Sequence, residues 1–383
     1  MIDRGSTTRV LTGTHFMLGN HAVAEGALAA GCDFFAGYPI TPANEISERM
    51  AARMPEVGGK FLQGEDELCS IFAVTGASLA GASAMTATAS AGFDYMMEGI
   101  EYAVAAEIPC VLVDVQRCRG ENFATQADIM QVRWGAAGDH ELIVLAPSSV
   151  QELFDYTVRA FNLAERFRTP VIVLSETTIA LMRERLVIPS MEAIPVVRRS
   201  RPIASPLEYL PFQAGPDGVP PMPDFGDGYH VLYSINPHDE RGSIQWRPDV
   251  YAALYDRITH KITDRRDEIV ETHGIHLEDA QIVLIAYGSE CRPALAAVRT
   301  ARSKGIPAGL LRLATVWPVP EREIREAVRG ARLALAVEMN IGKYAAEIER
   351  AAGGLCEVKR VTKNLGSIHT SAEILAEIEA VAR

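Results

Sequence analysis

Along the first 180 residues, short apolar runs alternate with longer stretches in which apolar positions recur every three to four residues. That rhythm predicts helices over residues 19–30 and 46–54, from about residue 66, and over 95–105 and 150–167. Strands are predicted between them, at residues 34–36, 60–63 and 84–88. Residues 110–115 are apolar apart from Asp114, the mark of a strand buried on both faces, and 142–145 and 171–174 repeat it. Strands alternating with helices imply a mostly parallel sheet covered on both sides.

From 198 to 247 the rhythm stops, and Pro, Gly and Asp punctuate the chain. Its aromatics, Tyr209, Phe212, Phe225, Tyr229, Tyr233 and Trp246, predict an ordered arm lying on the first domain or on a partner chain. Beyond it the alternation resumes. Strands are expected at 281–286, 310–313 and 333–337, and helices at 293–304, 323–328 and 343–352. The organisation read from this is a doubly wound α/β domain over 1–197, an irregular linker or arm over 198–270, and a smaller α/β domain over 271–383.

Composition narrows the class. The 383 residues are 48% hydrophobic and 22% charged, ample for a buried core, and the net charge of −12 disfavours nucleic acid or an anionic membrane as main partner. Residues 68–93 carry no charge, but Ala, Gly, Ser and Thr dominate them, which fits tight packing in a soluble core better than a membrane span. The six cysteines show no C-x-x-C spacing, so a zinc ribbon or a cysteine-ligated cluster in this chain is not expected. No basic-then-apolar leader opens the sequence, and scattered thiols suit a reducing cytoplasm.

Candidate chemistry sits at predicted strand ends, where open α/β sheets collect ligands. Gly37-Tyr38-Pro39-Ile40-Thr41-Pro42 is a loop stiffened by two prolines; it either holds the Thr41 hydroxyl for a ligand or starts a helix, with Thr41 as N-cap. Gly64-Glu65-Asp66-Glu67 places three carboxylates at a helix start. They are either plain first-turn acids or include one carboxyl facing a dry interior with a raised pKa. Asp114-Val115-Gln116-Arg117-Cys118-Arg119 ends a buried strand with arginines suited to an anionic substrate, or simply solvated. No G-x-G-x-x-G opens a helix after a strand, and the histidines, His140 included, lack metal-ligand spacing.

Taken together these segments resemble the α subunit of 2-oxoacid:ferredoxin oxidoreductases, nearest the 2-oxoglutarate branch. The likeness rests on Tyr38-Pro39-Ile40-Thr41-Pro42, Gln63-Gly64-Glu65-Asp66-Glu67, Ala84-Met85-Thr86-Ala87-Thr88, Val113-Asp114-Val115-Gln116-Arg117 and Gly138-Asp139-His140. It extends through Asp239-Glu240-Arg241-Gly242 to Val337-Glu338-Met339-Asn340. The resemblance implies a pyrimidine-type thiamine-diphosphate domain followed by a transketolase C-terminal-like domain. It also implies a β subunit carrying the diphosphate site, Mg²⁺ and a [4Fe–4S] cluster, in an α2β2 or larger assembly. Coenzyme A, a 2-oxo acid and ferredoxin are the expected reaction partners.

By the same resemblance, Tyr38, Pro39, Ile40, Thr41, Glu67, Thr88 and Ser90 are expected at the cofactor. Glu67, nine residues before Gly76, is the carboxyl expected on the pyrimidine nitrogen, with Glu65 the fallback. Thr41 is expected near the reacting carbonyl and Arg117 on the substrate carboxylate, with Arg119 a candidate for a second carboxylate. Two departures stand out. Cys118-Arg119-Gly120-Glu121-Asn122-Phe123 replaces the branch's Gly-Pro-Ser-Thr-Gly loop, and Ala89-Ser90-Ala91-Gly92-Phe93 replaces Ser-Gly-Pro-Gly-Phe. An aromatic or branched-chain 2-oxo acid, suited by Phe123, is the alternative substrate, with NAD(P) a possible final acceptor. A non-oxidative thiamine enzyme and a non-catalytic scaffold are the rival classes.

Overall fold

The structure is a computed structural model that describes residues 10–118, 123–364 and 366–382. Strands in the first half are β1 (Gly13–Leu18), β2 (Phe34–Gly37), β3 (Lys60–Gln63), β4 (Ala84–Thr88), β5 (Cys110–Gln116), β6 (Ile143–Leu145), β7 (Pro170–Glu176) and β8 (Arg183–Ile188). The second half adds β9 (Thr272–Ile275), β10 (Ile282–Tyr287), β11 (Ala308–Leu313), β12 (Thr315–Trp317), β13 (Leu333–Glu338) and β14 (Glu357–Thr362). A seven-stranded sheet runs β12-β6-β7-β5-β4-β2-β3, parallel except for β12, which lies antiparallel on β6. The smaller sheet runs β14-β13-β10-β11-β9, with β9 antiparallel, and β1 and β8 form a separate antiparallel ribbon.

Every residue of β5 and β7 is buried, because helices cover both faces of the large sheet. One core cluster packs Ile71, Phe93 and Ile100 against Leu112, Val144 and Ile172. The other packs Val23, Ile46, Leu153 and Phe154 against Met85, Val113 and Val171 on the opposite face. A third core lies under the small sheet, around Leu284, Leu310 and Leu335. Residues 68–93 become the helix Glu67–Leu79, strand β4 and the start of a short helix, so their small side chains serve close packing. No helix among the described residues is long and apolar enough to cross a membrane.

The arm is ordered and lies on the first sheet's helices. Arg168, 1% exposed, donates from Nη1 to the carbonyls of Pro211, Pro220 and Pro221. Arg199 ties the arm to Glu165 at 3.0 Å and to the Ser78 carbonyl at 2.7 Å. The Tyr233 ring meets Phe212 edge-on and Phe225 at a tilt. The expectation of irregular chain up to 270 needs correction. Pro248 at the first position starts a helix, Pro248–Thr263, which buries Leu254, Tyr255 and Ile258. On that helix Lys261 and Arg257 reach the buried Glu107 at 2.8 and 2.7 Å.

Candidate active site

Strands β3, β2, β4 and β5 are neighbours, so the three candidate loops leave the same carboxyl edge. The 38–42 loop is held from below. Buried Asn20 donates from Nδ2 to the Pro42 carbonyl at 2.6 Å and to the Glu45 carboxylate at 2.8 Å. The helix after it begins at Asn44, with Ala43 as cap residue, so Thr41 is not its N-cap. Instead the Thr41 oxygen accepts from the Asn44 side chain at 3.1 Å, and the Thr41–Pro42 bond is cis.

The three acids after β3 take three different places. Glu65 is exposed, and Asp66 is the N-cap of the helix Glu67–Leu79, accepting from the Cys69 N–H at 2.6 Å. Glu67, in the first turn, is 7% exposed. Burial pushes its carboxyl above the ordinary range, with a further upward push from Asp66, against a lowering bond from its own N–H. The dry carboxyl is therefore Glu67, and the Glu65 fallback sits in solvent.

Beside Glu67 runs a groove of about 500 Å³, lined by Tyr38, Ile40, Glu67, Ala91, Gly92, Asp94 and Tyr95. Gly92 is where the close approach occurs. A Cβ there would fall 2.4 Å from Glu67 Oε1 and 2.2 Å from Thr88 Oγ1, so only glycine fits between them. Thr88 is fully buried, and its hydroxyl oxygen has no hydrogen-bond partner among the described residues. A buried hydroxyl left open, a dry carboxyl and a glycine surface fit a flat heteroaromatic ring with nitrogen functions, such as the pyrimidine of thiamine diphosphate.

Other predicted residues are arranged differently. Ser90 does not line the groove; its hydroxyl donates to Asp128 at 2.5 Å and accepts from the Arg117 N–H at 3.0 Å. Its own N–H donates to Asp114 at 2.9 Å, which holds Ser90 at φ +22. Burial, and then repulsion from Asp128, raises the Asp114 carboxyl, and burial likewise raises Asp128. Ser90 thus couples the start of the helix that carries Gly92 to the end of β5. Pro39 is exposed and Thr41 half-buried at the loop's edge. Arg117 is half-buried, and its guanidinium makes no ion pair or hydrogen bond among the described residues. Arg119 and residues 120–122 lie outside the described residues.

Reading the sequence alone missed Gly92, Asp94 and Tyr95 as groove walls and Asp128 as the holder of Ser90. A signal existed for the first three, since they follow directly on the end of β4. For Asp128 there was none, as it lies 38 residues from its partner.

Parallel sheets with a dry glutamate and a bare glycine at one carboxyl edge define a chain of the thiamine-diphosphate-binding α/β class. The family described as "Pyruvate flavodoxin/ferredoxin oxidoreductase, thiamine diP-bdg" matches residues 25–255, and "Pyruvate:ferredoxin oxidoreductase core domain II" matches 280–374. The chain belongs to this family of 2-oxoacid:ferredoxin oxidoreductases. It is 47% identical to 2-oxoglutarate synthase subunit KorA of Methanothermobacter marburgensis, over 96% of this chain and 99% of that one. Ketoisovalerate oxidoreductase subunit VorB of the same organism is 36% identical over 96% of this chain and 98% of its own.

Among solved structures, 2-oxoglutarate:ferredoxin oxidoreductase from Magnetococcus marinus, with 2-oxoglutarate, coenzyme A and succinyl-CoA bound, superposes with a TM-score of 0.91 at 26% identity. The match covers 97% of this chain and 66% of that one. A split-gene transketolase, an inactive β4 tetramer, shares the fold alone, at a TM-score of 0.57 and 12% identity over 96% of this chain and 99% of that one.

Proposed function

We propose that this chain is the subunit of a 2-oxoglutarate:ferredoxin oxidoreductase that presents the pyrimidine side of thiamine diphosphate. The observation that carries the reading is the dry Glu67 carboxyl set against Gly92 and the open Thr88 hydroxyl. The 47% identity to a 2-oxoglutarate synthase subunit supports the substrate. Oxidative decarboxylation of 2-oxoglutarate with coenzyme A yields succinyl-CoA and CO₂, and two electrons go singly to ferredoxin. A β subunit would hold the diphosphate, Mg²⁺ and a [4Fe–4S] cluster in a cytoplasmic assembly of α2β2 or larger. The domains are taken as 1–197, 198–270 and 271–383.

Bound thiamine diphosphate supplies the electron sink for loss of CO₂. This chain's part is to hold and aim it. Glu67, its affinity for protons raised by burial, can share a proton with a ring nitrogen. Tyr38, Ile40 and Tyr95 wall the groove, which keeps the ring dry and strengthens that hydrogen bond. Thr88 offers its unused hydroxyl, and Gly92 leaves room for contact. Thr41 would donate to the reacting carbonyl, and the Arg117 guanidinium would take the substrate carboxylate in a bidentate fork. Ser90 acts through the backbone of Arg117 rather than on the cofactor.

A branched-chain or aromatic 2-oxo acid is the second reading, favoured by the exposed Phe123 beside the altered loop and by the 36% identity to a ketoisovalerate enzyme subunit. The test is to co-express the chain with its partner and assay a panel of 2-oxo acids with coenzyme A and a viologen dye. Dye reduction that needs thiamine diphosphate and is fastest with 2-oxoglutarate is expected. Turnover of branched or aromatic acids alone would move the substrate, and no reduction from an iron–sulfur-replete complex would overturn the oxidative reading.

A further inference from the structure

The loop that follows Arg117 is clasped by the C-terminal sheet at one residue. Gln126 is fully buried, and every polar group it has is engaged. Its N–H donates to the Met339 carbonyl at 3.0 Å, and its side-chain Oε1 accepts from the Met339 N–H at 2.9 Å. Its carbonyl accepts from Asn340 Nδ2 at 2.9 Å. Its Nε2 donates to the Tyr287 carbonyl at 2.9 Å and to Glu176 Oε1 at 3.1 Å. One amide thus joins the end of β7, the end of β10 and the turn after β13. Gly288, at φ +58, is required there, because a Cβ would lie 2.1 Å from Glu176 Oε1 and 2.7 Å from Gln126 Nε2.

Contacts on either side continue the clasp. The Thr125 hydroxyl donates to the Met339 carbonyl at 3.3 Å, and Lys343 Nζ donates to the Ala127 carbonyl at 2.6 Å. Upstream, the Cys118 N–H donates to the Phe123 carbonyl at 3.0 Å. The Phe123 side chain rests on Gly366, where a Cβ would come within 2.4 Å of it. Downstream, the Asp128 N–H donates to Gln116 Oε1 at 3.1 Å, and Asp128 holds Ser90, which in turn takes the Arg117 N–H.

We propose that Gln126 is a positioning residue through which the C-terminal domain fixes residues 123–128 and, by way of Asp128 and Ser90, the backbone of Arg117, and so sets affinity for the 2-oxo acid. The inference rests on the role proposed above for Arg117. Gln126 makes five hydrogen bonds, three through its buried side-chain amide, and loss of those three would loosen residues 123–128 from the C-terminal sheet. Thiamine diphosphate would be held as before, because none of the hydrogen bonds of Gln126 goes to the groove residues Tyr38, Glu67 and Gly92.

The test compares the native complex with Gln126→Ala and with Gln126→Glu, which keeps the shape and the Met339 contact but not the donations. Three quantities are read: KM and kcat for 2-oxoglutarate, the Kd for thiamine diphosphate, and amide hydrogen exchange. Expected are a tenfold or larger rise in KM with kcat within threefold, and a cofactor Kd within twofold. Exchange at Cys118 and Asp128 should speed tenfold while the helix Val150–Phe167 stays protected. Gln126→Glu should show the same pattern even if Gln126→Ala fails to fold. Unchanged KM and unchanged exchange would overturn the proposal, as would equal losses in cofactor and substrate affinity. If the native complex accepts no 2-oxo acid, the functional reading fails; the exchange result then still decides whether Gln126 holds the loop.

Discussion

Glu176 lies at the seam between the two sheets, 1% exposed, and replacing it by Gln tests the electrostatics of that seam. Its carboxyl accepts from the Ser289 N–H at 2.8 Å, from the Ser289 hydroxyl and from Gln126 Nε2 at 3.1 Å. Burial nevertheless wins over these bonds, with Glu290 adding to it, and the carboxyl is pushed up from 4.5 to about 7. Between those two values the folded chain keeps a proton that the unfolded chain has released. Stability from this group is therefore complete below pH 4.5 and lost as pH rises through 7. The difference, 7 − 4.5 = 2.5, corresponds to about 3 kcal/mol at pH 8, since one pKa unit is about 1.4 kcal/mol. A Gln keeps one acceptor oxygen for Gln126 and the Ser289 N–H, offers a donor to the Ser289 hydroxyl, and has no proton to lose. Thermal unfolding of Glu176→Gln should thus show a midpoint raised by about 4 °C at pH 8 and nearly unchanged at pH 5, from an unfolding entropy of roughly 2 cal/mol/K per residue. A gain independent of pH, or a loss at pH 8, would refute the reasoning.

Gly92→Ala forces a methyl between Glu67 and Thr88; displacing these two groups should weaken thiamine diphosphate binding roughly tenfold or more, read by calorimetric titration of the complex, and overpacking of about 1–3 kcal/mol should lower melting by no more than about 4 °C. Unchanged affinity would place the cofactor elsewhere. Lys261→Met leaves the fully buried Glu107 with Arg257 as its remaining close ion-pair partner. Burial alone would raise that carboxyl, but Lys261 and then Arg257 hold it well below its usual value, so its stabilisation is present above pH 4.5 and lost as pH falls. Denaturant titration should show a cost of about 3–5 kcal/mol at pH 7 that shrinks toward pH 4.

How much was legible follows from which forces are local. β3, β4 and the helix Val150–Phe167 fall where the pattern placed them, because an apolar run or a one-sided stripe is a local consequence of burial. β14 reads Glu-Val-Lys-Arg-Val-Thr, an edge strand whose charges keep other strands off and mask its period. β12 is three residues that pair with β6 across some 170 positions, and no local signal announces such a partner. The helix Pro248–Thr263 follows directly on the Pro-rich arm, and Pro248, its start signal, is masked by the prolines before it.

At the site, the sequence offered three carboxylates, and burial alone separates them: Glu65 in solvent, Asp66 on a backbone N–H, Glu67 in the dry interior. The Thr-Pro pair at 41–42 has the pattern of a helix start, but the helix begins two residues later with Ala43 at the cap, which leaves Thr41 to the loop. Ser90 was expected on the cofactor, but its partners Asp114 and Asp128 lie 24 and 38 residues away, so only the folded chain reveals that its hydroxyl is taken.

The central claim is that Glu67 delivers its proton to the cofactor's pyrimidine. It is tested most directly by the exchange of the thiazolium C2 proton for deuterium, followed by NMR in the assembled complex with native chain and with Glu67→Gln. A general acid–base group contributes about 10²–10⁴-fold, so exchange in the variant should slow by at least about a hundredfold while assembly and melting stay as in the native complex. Exchange at the native rate in Glu67→Gln would contradict the account and return the role to another carboxyl.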